Sequence, residues 1–498
     1  MLATIRSTLK NSIIYGLGNL STKLVGFILV PLYTKHLPVA DYGVLSILEI
    51  SSQVLIALFG LGIYQAFFRF YWDSRFEDRK KSIFFTTIVS LTFISAMMIV
   101  FMHFFSVSLS RILLDNSDYA FIFRLMVISA GIDIIIQSPN TLIRLQEKPV
   151  LFTTANIFKL AVSLGLTVIF IVVYHQKLEG IYKAQIIGQI IYLLVLSKFM
   201  VKNITPFFEK LILKEMLIFA LPLALSSIAA IVLNISDRYF LKFFGGLDSV
   251  GIYSLGYKMS NTINVFIISS VNLAVSPIIF KMMDSPGHHR FYSKIMTYYA
   301  FGIMFFILGM SFFGKEIIKV LVKNRDYWDS YKVIPFLSFS AAFIVMKDTA
   351  MTGLLKMKKS RMIAGIIISV SVLNILFDVF LIRLFKTYGA AISALLTQIS
   401  FFILVFIFSQ KIYRIPYEVS KLFKIILLGG VLIIISQFLN DLPLLLRLIS
   451  KSSLIILFPV ILYYFRFYET IELERLNSGW IKWRNPMRWK ENMNKMIK

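Results

Sequence analysis

Uncharged apolar runs of about 20 residues recur along this chain from end to end. Met216 to Ser236 is one of them, 21 residues without a formal charge. At 1.5 Å per residue such a run matches the ~30 Å hydrocarbon core of a bilayer. The runs are continuous and lack the every-second-residue alternation of a transmembrane β-strand, which excludes a β-barrel. The pattern predicts fourteen membrane helices, near residues 11–34, 43–68, 82–106, 120–143, 150–174, 180–201, 214–236, 249–273, 292–313, 333–355, 362–382, 388–410, 421–439 and 451–467. The first run is full length and has no small-x-small cleavage site, so it reads as a span rather than a cleaved signal.

Composition agrees with the pattern. The chain is 58% apolar and only 16% charged, with a mean hydropathy of +0.78, whereas soluble domains carry about 25% charged residues. The net charge of +26 lies in short clusters between the apolar runs. That placement points to membrane topology and attraction to anionic lipid, not to nucleic acid. Assigned to alternate sides, 32 Lys and Arg fall with the termini and 15 on the opposite side, with Lys23, Arg124, Lys159, Lys258 and Lys347 inside spans. The bias places both termini in the cytoplasm. One segment, "GKEIIKVLVKNRDYWDSYK" (314–332), puts five cations on the opposite side. It reads as an interfacial amphipathic stretch or a local slip in the assignment. Cysteine is absent and the five histidines are scattered, so no disulfide, metal centre or cofactor is expected.

An internal repeat runs through the pattern. "YTKHLPVADYGVLSI" from Tyr33 parallels "FLKFFGGLDSVGIYSL" from Phe240, with Lys35 matching Lys242 and Asp41 matching Asp248. After one inserted residue, Gly43 matches Gly251 and Ser46 matches Ser254. "FYWDS" ending at Ser74 and "KMMDS" ending at Ser285 keep the register, as do "EGIYKAQIIGQI" from Glu179 and "YGAAISALLTQI" from Tyr388. Six spans per repeat return the chain to its starting side, so the halves are expected to insert in parallel about an axis along the membrane normal. The expected fold is an all-α polytopic membrane protein of about 14 transmembrane helices. It comprises two pseudo-symmetric six-helix lobes (1–205 and 206–412), two further C-terminal helices (413–468) and a basic aromatic cytoplasmic tail (469–498).

Polar residues inside the spans share helical faces. Span 1 carries Ser12, Gly16, Asn19, Lys23 and Gly26; span 2 Glu49, Gln53 and Gly60; span 4 Asp133, Gln137, Asn140 and Arg144; span 5 Asn156, Lys159 and Ser163. Span 7 adds Ser227, Asn234 and Arg238 with Asp237 at its outer end, span 8 Ser254, Lys258, Asn261 and Asn272, and span 11 Ser371, Asn374 and Asp378. Small and amide side chains in such stripes commonly serve as helix–helix contacts. A lysine is poor glue without a facing carboxylate, so Lys23, Lys159 and Lys258 are expected to face an aqueous cavity. Arg124 lies near a span end and reads as snorkelling. With Arg238 and Lys347 the cations occur in both lobes, which gives a cavity on the central seam a positive potential suited to phosphate, pyrophosphate or acidic sugar. Glu49, Asp133, Asp237, Asp348 and Asp378 either neutralise these cations or bind a driving H⁺ or Na⁺. No GxxxxGK[ST] occurs and no loop is long enough for a soluble catalytic domain, so a transporter is favoured over an enzyme.

"NLSTKLVGFILVPLYTKHLPVADYG" (19–43) resembles the first-helix pattern of bacterial polysaccharide exporters, and "SDRYFLKFFGGLDSVGIYSLGYK" (236–258) their seventh-to-eighth helix pattern. The family is the Wzx-type flippases, in the superfamily that also holds multidrug and toxin extrusion transporters and lipid II flippases. The resemblance implies translocation of an undecaprenyl-pyrophosphate-linked oligosaccharide across the bacterial cytoplasmic membrane by alternating access, with H⁺ or Na⁺ as candidate coupling ions. It places Lys23, Arg238 and Lys258 at matching cavity positions; Asn19, Asn261, Lys159 and Lys347 come from periodicity instead. Membrane lipids, a polysaccharide polymerase and glycosyltransferases are the implied partners. The alternatives are a cation-coupled multidrug exporter of the same fold and a non-transport membrane subunit of polysaccharide assembly.

Overall fold

The computed structural model describes residues 26–282 and 287–474. The ordered elements among them are all helical: α1 (Val30–His36), α2 (Val39–Gly60), α3 (Ile63–Phe70), α4 (Lys80–Leu114), α5 (Ala120–Leu145), α6 (Pro149–Val168), α7 (Leu178–Lys202), α8 (Lys210–Thr262), α9 (Ser269–Lys281), α10 (His288–Leu321), α11 (Ile334–Lys356), α12 (Ser360–Phe377), α13 (Arg383–Ile412), α14 (Val419–Phe438) and α15 (Leu444–Tyr464). Among the described residues, eleven helical stretches are long and apolar enough to cross a membrane. Two of these, 210–273 and 360–412, contain a non-helical residue, Gly246 (φ 77°) and Lys386 (φ 47°). The chain folds back at both points: the Tyr253 hydroxyl donates to Asp237, and the Ser393 hydroxyl donates to Asp378 across the other turn. The described residues therefore make thirteen crossings, matching the second to fourteenth expected spans; Asn19 and Lys23, with most of span 1, lie outside them. Most of the basic tail, residues 475–498, also lies outside the described residues.

Side-chain sorting follows the bilayer. On α4 the buried positions include Ser82, Thr86, Thr87, Ser90, Ser95, Ser106 and Ser110, while Phe93, Met97, Phe101 and Phe104 point outward. Small hydroxyl residues let neighbouring helices approach and hydrogen-bond, as Ser95 does to the Gly131 carbonyl at 2.9 Å, and large apolar residues meet lipid.

Four local expectations need correction. Span 2 does not run to residue 68: α2 stops at Gly60, where Leu61 (φ 48°) and Gly62 (φ 66°) turn the chain into α3. Asp237 and Arg238 do not end span 7. The helix continues to the break at Gly246, leaving Arg238 about 12 Å inside the turn at 1.5 Å per residue. Residues 314–332 are not one continuous stretch: α10 runs through Leu321 and a separate 3₁₀ helix covers Arg325–Val333. Lys315 there donates to the Asn440 carbonyl at 2.7 Å, and Lys319 and Arg325 stack on Trp328. Arg124 does not snorkel; its Nε donates to Ser106 on α4 at 2.8 Å.

The two repeats meet reciprocally. A Cβ on Gly43 would strike the Leu247 carbonyl oxygen, and one on Gly251 the Val39 carbonyl oxygen. The Ser46 and Ser254 hydroxyls hydrogen-bond to each other at 2.7 Å. Residues matched by the sequence repeat thus face one another, as at an isologous two-fold interface. At this same membrane face Tyr327 donates to the Leu37 and Pro38 carbonyls, each at 3.0 Å, and Lys242 donates to the Ile112 carbonyl at 2.7 Å and to Asp115 at 2.8 Å. This face, carrying residues 37–38, 115, 246 and 327, is called distal below; the opposite face is proximal.

Candidate functional site

A cavity of about 280 Å³ lies between α2 and the two arms of α8, just inside the distal contacts. Its polar lining comes from Ser46, Glu49 and Gln53 on α2 and from Asn234, Arg238, Ser254, Lys258 and Asn261 on α8. Arg238 is 6% exposed. Its guanidinium sits over the Tyr257 ring at 4.1 Å and donates to the Asn234 carbonyl at 3.3 Å. Stacking on aromatic faces suits the weakly hydrated guanidinium in a buried setting. The Lys258 ammonium lies 5.8 Å from the Tyr42 ring centre. Arg238, Lys258 and Glu49 line this one cavity, and Asp237 lies 3.5 Å from the Arg238 guanidinium as a second carboxylate at its wall.

Asp237 turns the other way. Neighbouring helical residues point about 100° apart, and Asp237 lines a second, smaller cavity of about 90 Å³ with Asn374, Thr397 and Gln398. It accepts from the Tyr253 hydroxyl and from the Arg238 backbone N–H at 2.8 Å, and lies 3.5 Å from the Arg238 guanidinium. Behind it Asp378 is fully buried. Asp378 accepts from Ser236 at 2.7 Å and from Ser393 at 2.5 Å, and Asn374 joins through Ser236 and Thr397. Among the described residues no cation lies within ion-pair distance of Asp378, although an uncompensated buried carboxylate is costly. Asn234, Tyr257 and Asn261 line both cavities and form the wall between them. Among the described residues no group of three or more His, Asp or Glu gathers as a metal site.

The remaining expected residues lie elsewhere. Lys159 pairs with Asp133 at 3.5 Å and faces the Tyr192 ring; neither residue lines the seam cavity. Lys347 pairs with its neighbour Asp348 at 3.0 Å, and Asp348 lines a separate cavity of about 240 Å³ near Asn272. Both lysines have carboxylate partners, Asp133 and Asp348, which are among the acids that the sequence offers to neutralise the cations. Asn19 and Lys23 fall outside the described residues. Sequence reading missed Ser236, Ser393 and Thr397, because a lone hydroxyl in a membrane helix carries no distinguishing signal. Tyr257 lies in the quoted 236–258 stretch, directly before Lys258.

The helix order and the seam between two halves define a class: a multi-pass membrane protein with the transporter-type fold. The structure superposes on the lipid II flippase MurJ in an inward closed conformation with a TM-score of 0.70, covering 94% of this chain and 100% of that one at 14% identity. It also matches an inward-facing multidrug resistance MATE family transporter of the MOP superfamily, with a TM-score of 0.63, 83% and 96% coverage and 15% identity. An uncharacterised membrane protein of Methanocaldococcus jannaschii is 23% identical over 450 residues, 84% of this chain and 87% of that protein. Residues 8–283 match the family model described as polysaccharide biosynthesis protein. The chain belongs to that family.

Proposed function

We propose that this protein flips a pyrophosphate-linked glycolipid, of the undecaprenyl-pyrophosphate oligosaccharide class, from the cytoplasmic to the opposite leaflet of the cell membrane. The observation that carries the reading is the seam cavity, where Arg238, paired with Asp237 on its far side, and Lys258 face one space with Glu49. A diphosphate there meets one guanidinium and one ammonium in a partly dehydrated site, where charge-assisted hydrogen bonds are strong. At about 280 Å³ the cavity lies at the low end of ligand sites, roughly 300–1,000 Å³, so the seam must open to admit an oligosaccharide. In this reading the lobes 1–205 and 206–412 are the moving bodies, both termini are cytoplasmic, and the protein performs transport without catalysis. Asp378, with Asp237 beside it, is the coupling-ion site: a proton or Na⁺ relieves the uncompensated charge. A polymerase and glycosyltransferases supply and consume the cargo.

The test is export of surface polysaccharide by Arg238→Ala and Lys258→Ala variants at matched expression. Each is expected to lower export at least tenfold, the scale of one lost charge-assisted contact of about 1.5–3 kcal/mol. Wild-type export from both would overturn the cationic-cavity reading. The fold also serves multidrug transporters, and the acidic pocket around Asp237 favours that second reading if it holds an organic cation; efflux of a fluorescent cation by the wild type, lost in Asp237→Asn, would support it.

A further inference from the structure

On the proximal face, a cavity of about 700 Å³ opens between α12 and α13. Its mouth carries Lys358, Lys359 and Arg361, all exposed. None of the three lies within ion-pair distance of a carboxylate among the described residues, where Lys80, Lys183, Lys294 and Lys421 on the same chain do. From this mouth a groove runs along α12 past Met362, Gly365 and Ser369, with Leu404 and Phe408 of α13 as its other wall. Its floor is open at Gly365, where a Cβ would meet no atom within 4 Å.

We infer that this groove holds one anionic membrane lipid, its phosphate at Lys358, Lys359 and Arg361 and one acyl chain along the α12 face. Two features of the site select that occupant. Three unpaired cations at the membrane surface call for an anion, and juxtamembrane basic clusters attract acidic headgroups. The groove then continues as apolar and small side chains from Ser360 to Ser369, about 14 Å at 1.5 Å per residue. That length is close to half of the ~30 Å hydrocarbon core, the depth of one leaflet. Positive-inside topology explains cations at this face, but it does not require an open channel at Gly365 beneath them. The site is separate from the seam cavity, with which it shares no residue. The inference goes beyond the flippase reading and does not depend on it.

The experiment is native mass spectrometry of the full chain in detergent, titrated with phosphatidylglycerol or phosphatidylcholine. The wild type is expected to retain one phosphatidylglycerol in preference to phosphatidylcholine. Replacing all three cations in K358A/K359A/R361A lowers that affinity at least tenfold, since each surface cation contributes roughly a fivefold factor. Gly365→Phe fills the groove, removes the bound lipid, and leaves the melting temperature in lipid-free detergent unchanged. Excess inorganic phosphate does not displace the lipid. Equal retention of the two lipids by the wild type, wild-type retention of phosphatidylglycerol by either variant, or displacement by phosphate alone overturns the proposal.

Discussion

At the scale of single residues, Asp237 and Arg238 show what a shift of one position does inside a membrane helix. They are neighbours in sequence, yet Arg238 enters the seam cavity and Asp237 the pocket of Asp378. Arg238 relies on its planar group, stacked on Tyr257 at 4.1 Å. Arg238→Lys, which keeps the charge and loses the stack, is therefore expected to retain less than half of wild-type export at equal expression. Asp378 answers to different physics. Fully buried and held only by neutral donors, it is expected to be neutral or ion-bound in the resting protein. Asp378→Asn keeps the shape and removes the titration. It should fold normally and, in proteoliposomes, abolish any stimulation of lipid flipping by a H⁺ or Na⁺ gradient; retained gradient stimulation would rule Asp378 out. Of the stripe residues, Lys258 and Asn261 line the seam cavity, and Lys159 and Lys347 do not. Helical spacing tells which residues share a face but not which carboxylate stands opposite.

At the scale of elements, the C-terminal helices α14 and α15 attach through a buried ionic cluster. Glu316 on α10 lies 2.5 Å from Arg447 and 3.3 Å from the fully buried Lys451, and Lys451 also donates to Asn440 at 2.8 Å. Removing the shared acid leaves two buried cations unpaired. Glu316→Ala is expected to cost about 3–5 kcal/mol, read as a marked fall in melting temperature in detergent, while the Arg447→Met/Lys451→Met/Glu316→Leu triple variant recovers most of it. None of this cluster was apparent in the sequence. Its members lie in three separate segments, 316, 440 and 447–451, and nothing local marks an ion pair between spans that are far apart in the chain. The helix spans themselves were legible because burial in lipid demands a long uninterrupted apolar run, a demand that each span meets alone. The break at Leu61–Gly62 was not, since left-handed backbone at Leu is imposed by packing rather than by residue type, whereas the break at Lys386 falls in the expected gap between residues 382 and 388.

At the scale of the molecule, the seam is held shut at its distal end by contacts between repeat-matched residues. The chain contains no cysteine, so introduced pairs report without background. A Ser46→Cys/Ser254→Cys variant, whose hydroxyls now sit 2.7 Å apart, is expected to cross-link under mild oxidation and to lose transport until reduced. Free transport in the fully cross-linked protein would mean that this face does not open. Gly43→Val, whose side chain would collide with the Leu247 carbonyl, should weaken the same closure and reduce cross-linking. The sequence by itself determined the class of solvent, the thirteen spans found among the described residues, and the two α8 residues, Arg238 and Lys258, that line the seam cavity. Those follow from transfer energies and helical geometry, which act over one span at a time. The tertiary structure alone decided which buried charges meet each other. It sent Arg238 and Asp237 into different cavities while keeping them 3.5 Å apart, brought Lys159 to Asp133, and left Asp378 with no cation within ion-pair distance among the described residues, because the energy of a charge in a membrane depends on atoms a few ångströms away, whatever their distance along the chain.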